Sequence, residues 1–262
     1  MFCVFRFTKQ IVIAFRGTSH ANDWLYNLSA QLIDMKTPKE LVGKLKGKLN
    51  KNIKVHRGFY EYIFNNKHQD GKQVYDKILA DIEPFVEKGY NIHVTGHSLG
   101  AALSSMLAFK LAGSDKEWIP KPVSCISLAS PFVGGSEFKT AFQQLEKDGL
   151  IRYLRITNSR DTVPTIPMVA PSLISGGRYY HVGIHLNFND RGPYTISFPK
   201  SGNGIVRSLK SAIFLKPVWS VLKYHNIGLM DERMVGFEEQ LSNITIDELY
   251  KDESIVGKGF WD

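Results

Sequence analysis

The sequence predicts an α/β fold with a mainly parallel central sheet and helices on both faces, and three observations carry that reading. Short apolar runs rich in β-branched residues alternate with longer stretches whose apolar residues recur at helical spacing. One Gly-x-Ser-x-Gly string lies between such a run and such a helix. Hydrophobic residues make up 43% and charged residues 22% of the 262 positions, with two cysteines. That composition belongs to a globular chain and excludes disordered, collagen-like, coiled-coil and disulfide-stapled classes. No repeat or linker interrupts it, so 1–262 reads as one domain.

Taken in order, residues 1–15 mix Arg6 and Lys9 into short apolar pieces and pass into a strand at 10–15, without a signal-peptide core or cleavage site. Residues 20–35 put Trp24, Leu25, Leu28, Leu32 and Met35 on one helical face, with Asn22 or Asp23 as N-cap. The stretch 70–85 carries Val74, Ile78, Ile82 and Phe85 at helical spacing, and 91–95 is a buried strand. An Ala- and Leu-rich helix at 99–111, a strand at 123–128, a helix at 137–145 and a strand at 150–157 follow. Strand-helix-strand repetition of this kind requires crossovers, hence parallel pairing and two covered faces. Beyond Asp161 the chain reads as extended at 177–188, a strand at 194–198 and a basic amphipathic layer helix at 205–222. Its most apolar part, 211–222, is broken by Lys216 and Pro217 and is too short to span a bilayer, so the location expected is cytoplasmic or peripheral membrane.

The charge is uneven. Lys and Arg exceed Asp and Glu by 33 to 25, a formal +8, yet residues 1–60 hold 11 basic and 3 acidic side chains while the rest of the chain balances. Most of the excess runs from Lys36 through Lys39, Lys44, Lys46, Lys48, Lys51 and Lys54 to Arg57. Such a stretch serves an anionic lipid surface or simply solvates a face. Nucleic acid is not expected, because the aromatic side chains needed for base stacking are absent there. The eight histidines are scattered, with no Cys or acidic partner at zinc spacing, so no metal is expected. Cys125 lies in an apolar run and reads as a small buried hydrophobe.

Gly96-His97-Ser98-Leu99-Gly100 follows the strand 91–95 and opens the helix 99–111, the setting in which a sharp strand-to-helix turn lifts a serine hydroxyl clear of a sheet. Ser98 is the candidate nucleophile, Gly96 and Gly100 leave room for the turn, and His97 is expected to point away from the reaction centre. A serine hydroxyl needs a base, and in this topology the order is Ser, acid, His. Asp161, in the loop after the strand 150–157, is preferred as the acid over Asp190. His181 and His225 are both open as the base. His181 and His185 alternate with Tyr179 and Gly183 in an extended run, which suggests packed rings, whereas the loop around His225 can carry an imidazole over the serine.

These residues resemble the class 3 lipases, the fungal-type triacylglycerol lipases and their plant and microbial relatives. Ile11 to Thr18 is similar to that family's strand and FRG[ST] oxyanion loop, followed by an Asp-Trp pair at Asp23-Trp24. Val55-His56-Arg57-Gly58-Phe59 is similar to VHxGF, Val94 to Ala102 to VTGHSLGGA with Ala101 in place of a glycine, and Ser130 to Gly134 to the PRVGN segment, with Phe132 and Gly135 departing from it. Asp161 to Pro167 resembles DxVPxLP, and Tyr180-His181-Val182-Gly183 resembles YxHxG. The resemblance implies an α/β-hydrolase fold, here N-terminally short, with Ser98 as nucleophile, Asp161 as triad acid, and Thr18 with Leu99 as oxyanion-hole donors. It also implies that the base is a histidine later than His181, which favours His225.

The implied reaction is hydrolysis of acylglycerol esters through an acyl-enzyme, without a cofactor. The apolar helical face bearing Asp23, Trp24, Leu25 and Leu28 beside the oxyanion loop resembles the family's lid. Phospholipase A1 or diacylglycerol lipase activity on membrane lipids is the nearest alternative, and a catalytically inactive lipid-binding protein is the alternative of another class. The partners expected are a lipid or ester substrate and an anionic membrane or lipid-droplet surface, with the oligomeric state left open.

Overall fold

The computed structural model describes residues 1–17, 31–38, 41–42, 45, 52–65, 71–86, 88–167, 178–190, 192–198 and 223–257. Thr18, the expected lid face at Asp23, Trp24, Leu25 and Leu28, the lysines 39, 44, 46, 48 and 51, and the expected helix 205–222 lie outside the described residues. In chain order the elements are β1 (Phe2–Phe7), β2 (Gln10–Phe15), β3 (Leu32–Met35), β4 (Ile53–His56), α1 (Arg57–Phe64), α2 (Val74–Val86), β5 (Asn91–His97), α3 (Leu99–Ala112), β6 (Val123–Leu128), α4 (Ser136–Lys147), β7 (Ile151–Asn158), a 3-10 turn (Val163–Thr165), β8 (Ile184–Phe188), β9 (Tyr194–Ser197), α5 (Ile227–Gly236), α6 (Glu238–Leu241), α7 (Ile246–Lys251) and α8 (Glu253–Val256).

Seven strands form one sheet in the order β1-β2-β5-β6-β7-β8-β9. Pairing is parallel from β2 to β8 and antiparallel at both edges. Alternation along each strand sorts its side chains between two faces. Ile13, Val94, Cys125 and Tyr153 lie side by side in register and pack with α1, α2, α3 and α4 into one core. The Ala- and Ser-rich α3 is buried almost all round, as befits the helix that crosses the middle of the sheet. On the opposite face Leu154, Ile156, Ile184 and Leu186 pack against Met230, Leu249 and Tyr250 of α5 and α7. That same face is barer toward β1, where Phe5 and Phe7 are 48% and 57% exposed.

The strands and helices of the parallel core fall where the apolar periodicity puts them, to within one to four residues at their ends. One expectation is corrected: the helical reading of 20–35 does not extend to its end, because Leu32–Met35 is β3, paired antiparallel with β4. Leu32 and Met35, three apart, satisfy a helical face, but they are buried here by pairing with His56 and Ile53. Strands β1 and β4, helix α1 and the helices α5 to α8 have no counterpart in the sequence reading.

Candidate active site

Strand β5 ends at His97, and the chain turns at once into α3 through Ser98, whose backbone stands at φ 60° and ψ −125°. Two hydrogen-bond sets hold that turn: Ser98 N donates to Leu128 O at 2.9 Å, and Ser98 O accepts from Ala101 N at 3.0 Å. The flanking glycines are sterically required. A Cβ on Gly96 would lie 2.3 Å from Gly100 O, and one on Gly100 would lie 2.2 Å from Phe15 O, in both cases fixed backbone. The end of β2 therefore presses against the start of α3, and Gly17, just before Thr18, is so close to His97 O that a Cβ would come within 2.9 Å of it. Leu99 opens α3, so its N–H belongs to the first turn, where amides lack intrahelical partners and the helix field favours negative charge.

Asp161 follows β7 with its carboxylate wholly shielded from solvent. Oδ2 accepts from His225 Nδ1 at 2.9 Å and Oδ1 accepts from Val163 N at 2.9 Å. Burial raises the carboxyl above its ordinary value, while the hydrogen bond from His225, its charge and the Val163 amide pull it back. His225 lies in the turn before α5 and is 6% exposed. With Nδ1 donating to the carboxylate, Nε2 is the nitrogen left to take a proton, and it is buried without a hydrogen-bond partner among the described residues.

The His97 ring lies 4.6 Å from the His225 ring, tilted by 31°. The expectation that His97 points away is thus corrected. His97 shares a face of β5 with Thr95, whose in-register neighbours on that side are Ile126 and Leu154, and the segment bearing His225 packs on this same face. Burial first and the nearby His225 second bring the His97 imidazole down to about 4, against a hydrogen bond to the His225 backbone that opposes both. His97 is therefore neutral at ordinary pH.

The rival residues stand elsewhere. His181 Nε2 donates to Pro164 O at 2.7 Å, and its ring stacks on Phe132 at 3.9 Å; burial, then Arg155, hold it well below its ordinary value. Asp190 pairs with Arg160 and, at 3.5 Å, with Arg233. His56 is buried on Phe59 with neither ring nitrogen hydrogen-bonded among the described residues, and desolvation takes it to about 4. Sequence reasoning passed over Asn158 and Tyr224, which flank Asp161 and His225: Asn158 Nδ2 donates to Tyr224 O at 3.2 Å. No string pattern marks either one; only the end of β7 does.

Among known proteins, a family model for lipase (class 3) matches residues 12–170. Phospholipase A1-II 6 of Oryza sativa subsp. japonica is 31% identical over 193 residues, which are 68% of this chain and 43% of that one. The triacylglyceride lipase of Rhizomucor miehei superposes with a TM-score of 0.59 at 24% identity, over 84% of this chain and 74% of its own. A triacylglycerol lipase whose catalytic centre is formed by a serine protease triad superposes with a TM-score of 0.55 at 24% identity, over 83% and 71%. These superpositions show the α/β-hydrolase fold. The chain spans about two fifths of the length of the first of these relatives.

Proposed function

The chain belongs to the class 3 lipase family, and from that membership we propose that it hydrolyses carboxylic esters of glycerolipids with Ser98 as nucleophile, His225 as base and Asp161 as the acid that orients it. The observation that carries this reading is the buried 2.9 Å hydrogen bond from His225 to Asp161, with the His225 ring against the residue that precedes Ser98. Ser98 Oγ attacks the ester carbonyl as His225 Nε2 takes its proton, and the amides of Leu99 and Thr18 receive the oxyanion. The acyl C–O bond then breaks, and the alcohol departs with the proton from His225. Water deprotonated by the same nitrogen cleaves the acyl-enzyme, releasing the carboxylic acid and restoring Ser98. The imidazolium formed on the way faces a neutral His97, which adds no positive charge beside it.

A second reading concerns the head group. The rice relative, more similar in sequence than the fungal structures, is named a phospholipase A1, and the lysine-rich stretch 36–57 supports peripheral docking on an anionic lipid surface. A fluorophosphonate probe is expected to label the wild type and not Ser98→Ala. Absence of labelling would favour a lipid-binding protein without turnover. Fatty-acid release from triolein, diolein, phosphatidylcholine and phosphatidylglycerol, read by position, separates the neutral-lipid reading from the phospholipid one.

A further inference from the structure

We infer that Asn158 is a positioning residue for this reaction, its side-chain amide tying the loop that carries His225 to the strand end that carries Asp161, with Arg233 holding that amide in place. The inference rests on the assignment of Ser98, His225 and Asp161 made above.

Asn158 is the last residue of β7 and is 2% exposed. It grips the acid through its backbone, for its carbonyl accepts the Asp161 N–H at 3.2 Å and so begins the turn that presents the carboxylate. It grips the base through its side chain, for Nδ2 donates at 3.2 Å to the Tyr224 carbonyl, the oxygen of the peptide unit whose nitrogen is that of His225. The remaining amide atom is engaged as well: Oδ1 accepts from Arg233 Nη1 at 3.1 Å. A carbonyl oxygen only accepts and a guanidinium only donates, so these two partners fix which way the amide faces.

Arg233 is itself anchored. Nη1 also donates to Phe188 O at 3.3 Å, at the end of β8, and Nη2 lies 3.5 Å from Asp190. The far end of Tyr224 is held from the same turn, where Arg160 Nη1 donates to its hydroxyl at 3.0 Å and the guanidinium sits 5.5 Å from the ring centroid. Both the carbonyl and the phenol of Tyr224 are thus bound by residues within three positions of Asp161. The loop holding the base can shift only by breaking hydrogen bonds that begin on the acid's own turn. Misplacement of a reacting group by about 1 Å costs on the order of a hundredfold in rate, so loosening this strut is expected to act on kcat while leaving substrate binding alone.

The test uses kcat and KM on a dissolved short-chain ester, together with the downfield NMR signal of the proton between His225 Nδ1 and Asp161. Asn158→Ala is expected to lower kcat about 10- to 100-fold with KM within about twofold, and to shift or broaden that signal while the methyl spectrum stays that of a folded protein. Arg233→Met, which leaves Asn158 in place but frees its oxygen, is expected to lower kcat in the same direction, and Arg233→Lys to recover most of the loss because an ammonium keeps one donor. Asn158→Ala that lowers Tm but changes neither kcat nor the signal overturns the inference. If Asn158→Ala does not fold, Arg233→Met with a wild-type kcat and signal overturns it equally. Ser98→Ala separates the two levels: retained turnover there sinks the hydrolase assignment, whereas the NMR signal needs no turnover and still decides the strut.

Discussion

The turn at Ser98 strains its backbone, since φ 60° and ψ −125° is a region that a residue bearing a Cβ enters at a cost of about 1–3 kcal/mol. Ser98→Ala keeps the Cβ and therefore the strain, so its stability should stay within about 0.5 kcal/mol of the wild type. Ser98→Gly removes the strain but gains about 0.5–1 kcal/mol of unfolded-state entropy. It should therefore come out more stable than Ser98→Ala by up to about 1–2 kcal/mol, and equally inactive. Urea unfolding of the two variants checks the order, and a glycine variant weaker than the alanine one would remove strain from the account. At this scale the sharp turn at Ser98 was legible, because a strand-to-helix turn flanked by two obligatory glycines leaves a string. His97 was misread because its direction depends on which face of β5 the distant segment 223–257 covers. Asn158 left no string at all: its partners lie 66 and 75 positions away.

Among the elements, α4 and α7 meet β7 at one buried carboxyl. Glu146 is fully buried, Oε1 accepts from the Tyr250 hydroxyl at 2.5 Å, and Oε2 has no hydrogen-bond partner among the described residues. Burial pushes this acid from 4.5 to about 8, against the Tyr250 hydrogen bond and the charges of Arg152 and Lys139. The folded state thus keeps a proton that the unfolded chain has lost, so Glu146 takes stability away as pH rises from about 4.5 to about 8, and adds no further slope above that. Glu146→Gln cannot ionise and should lose less stability than the wild type between pH 5 and pH 8, read as Tm at the two values. An equal loss would mean that Glu146 ionises inside as easily as outside. Tyr250→Phe leaves the carboxyl without its donor and should cost about 1–3 kcal/mol at neutral pH. The sequence did not show this junction, because α5 to α8 are short and bury few apolar residues, Met230, Leu249, Tyr250 and Val256 among them, too sparse to set a period. The central strands were legible for the converse reason: β2, paired on both of its edges, carries the unbroken apolar run Ile11 to Phe15. Strand β3 was mistaken for the end of a helix because four residues with apolar ends fit either period.

Over the whole molecule the charge has a place as well as a sign. The +8 excess lies within residues 1–60, and the part of the lysine-rich stretch that the structure describes runs into β4. There Gly135 N donates to Lys54 O at 2.9 Å and His56 N to Val133 O at 2.8 Å, so β4 rests on the loop that follows β6. Strand β6 ends at Leu128, whose carbonyl holds the Ser98 amide. The basic stretch therefore enters the fold through β4, at the end of the sheet where Ser98 stands, the end that the proposed reaction on a lipid would use. Arg57 contributes less to that field than its formal charge, being paired with Glu61 at 2.7 Å. Lys44, Lys46 and Lys48 carry the test. Reversing all three to Glu takes the formal net charge from +8 to +2. At about 1 kcal/mol per lysine near an anionic surface, binding to phosphatidylglycerol vesicles should weaken by about a hundredfold or more and lose most of its salt dependence. Hydrolysis of a dissolved ester should be unchanged, because the hydrogen bonds that hold Ser98, Asp161 and His225 run to Leu128, Ala101, Val163 and one another. Vesicle binding that survives the reversal, measured by co-sedimentation at low and high salt, would show that the stretch only solvates its face and that another surface holds the vesicle.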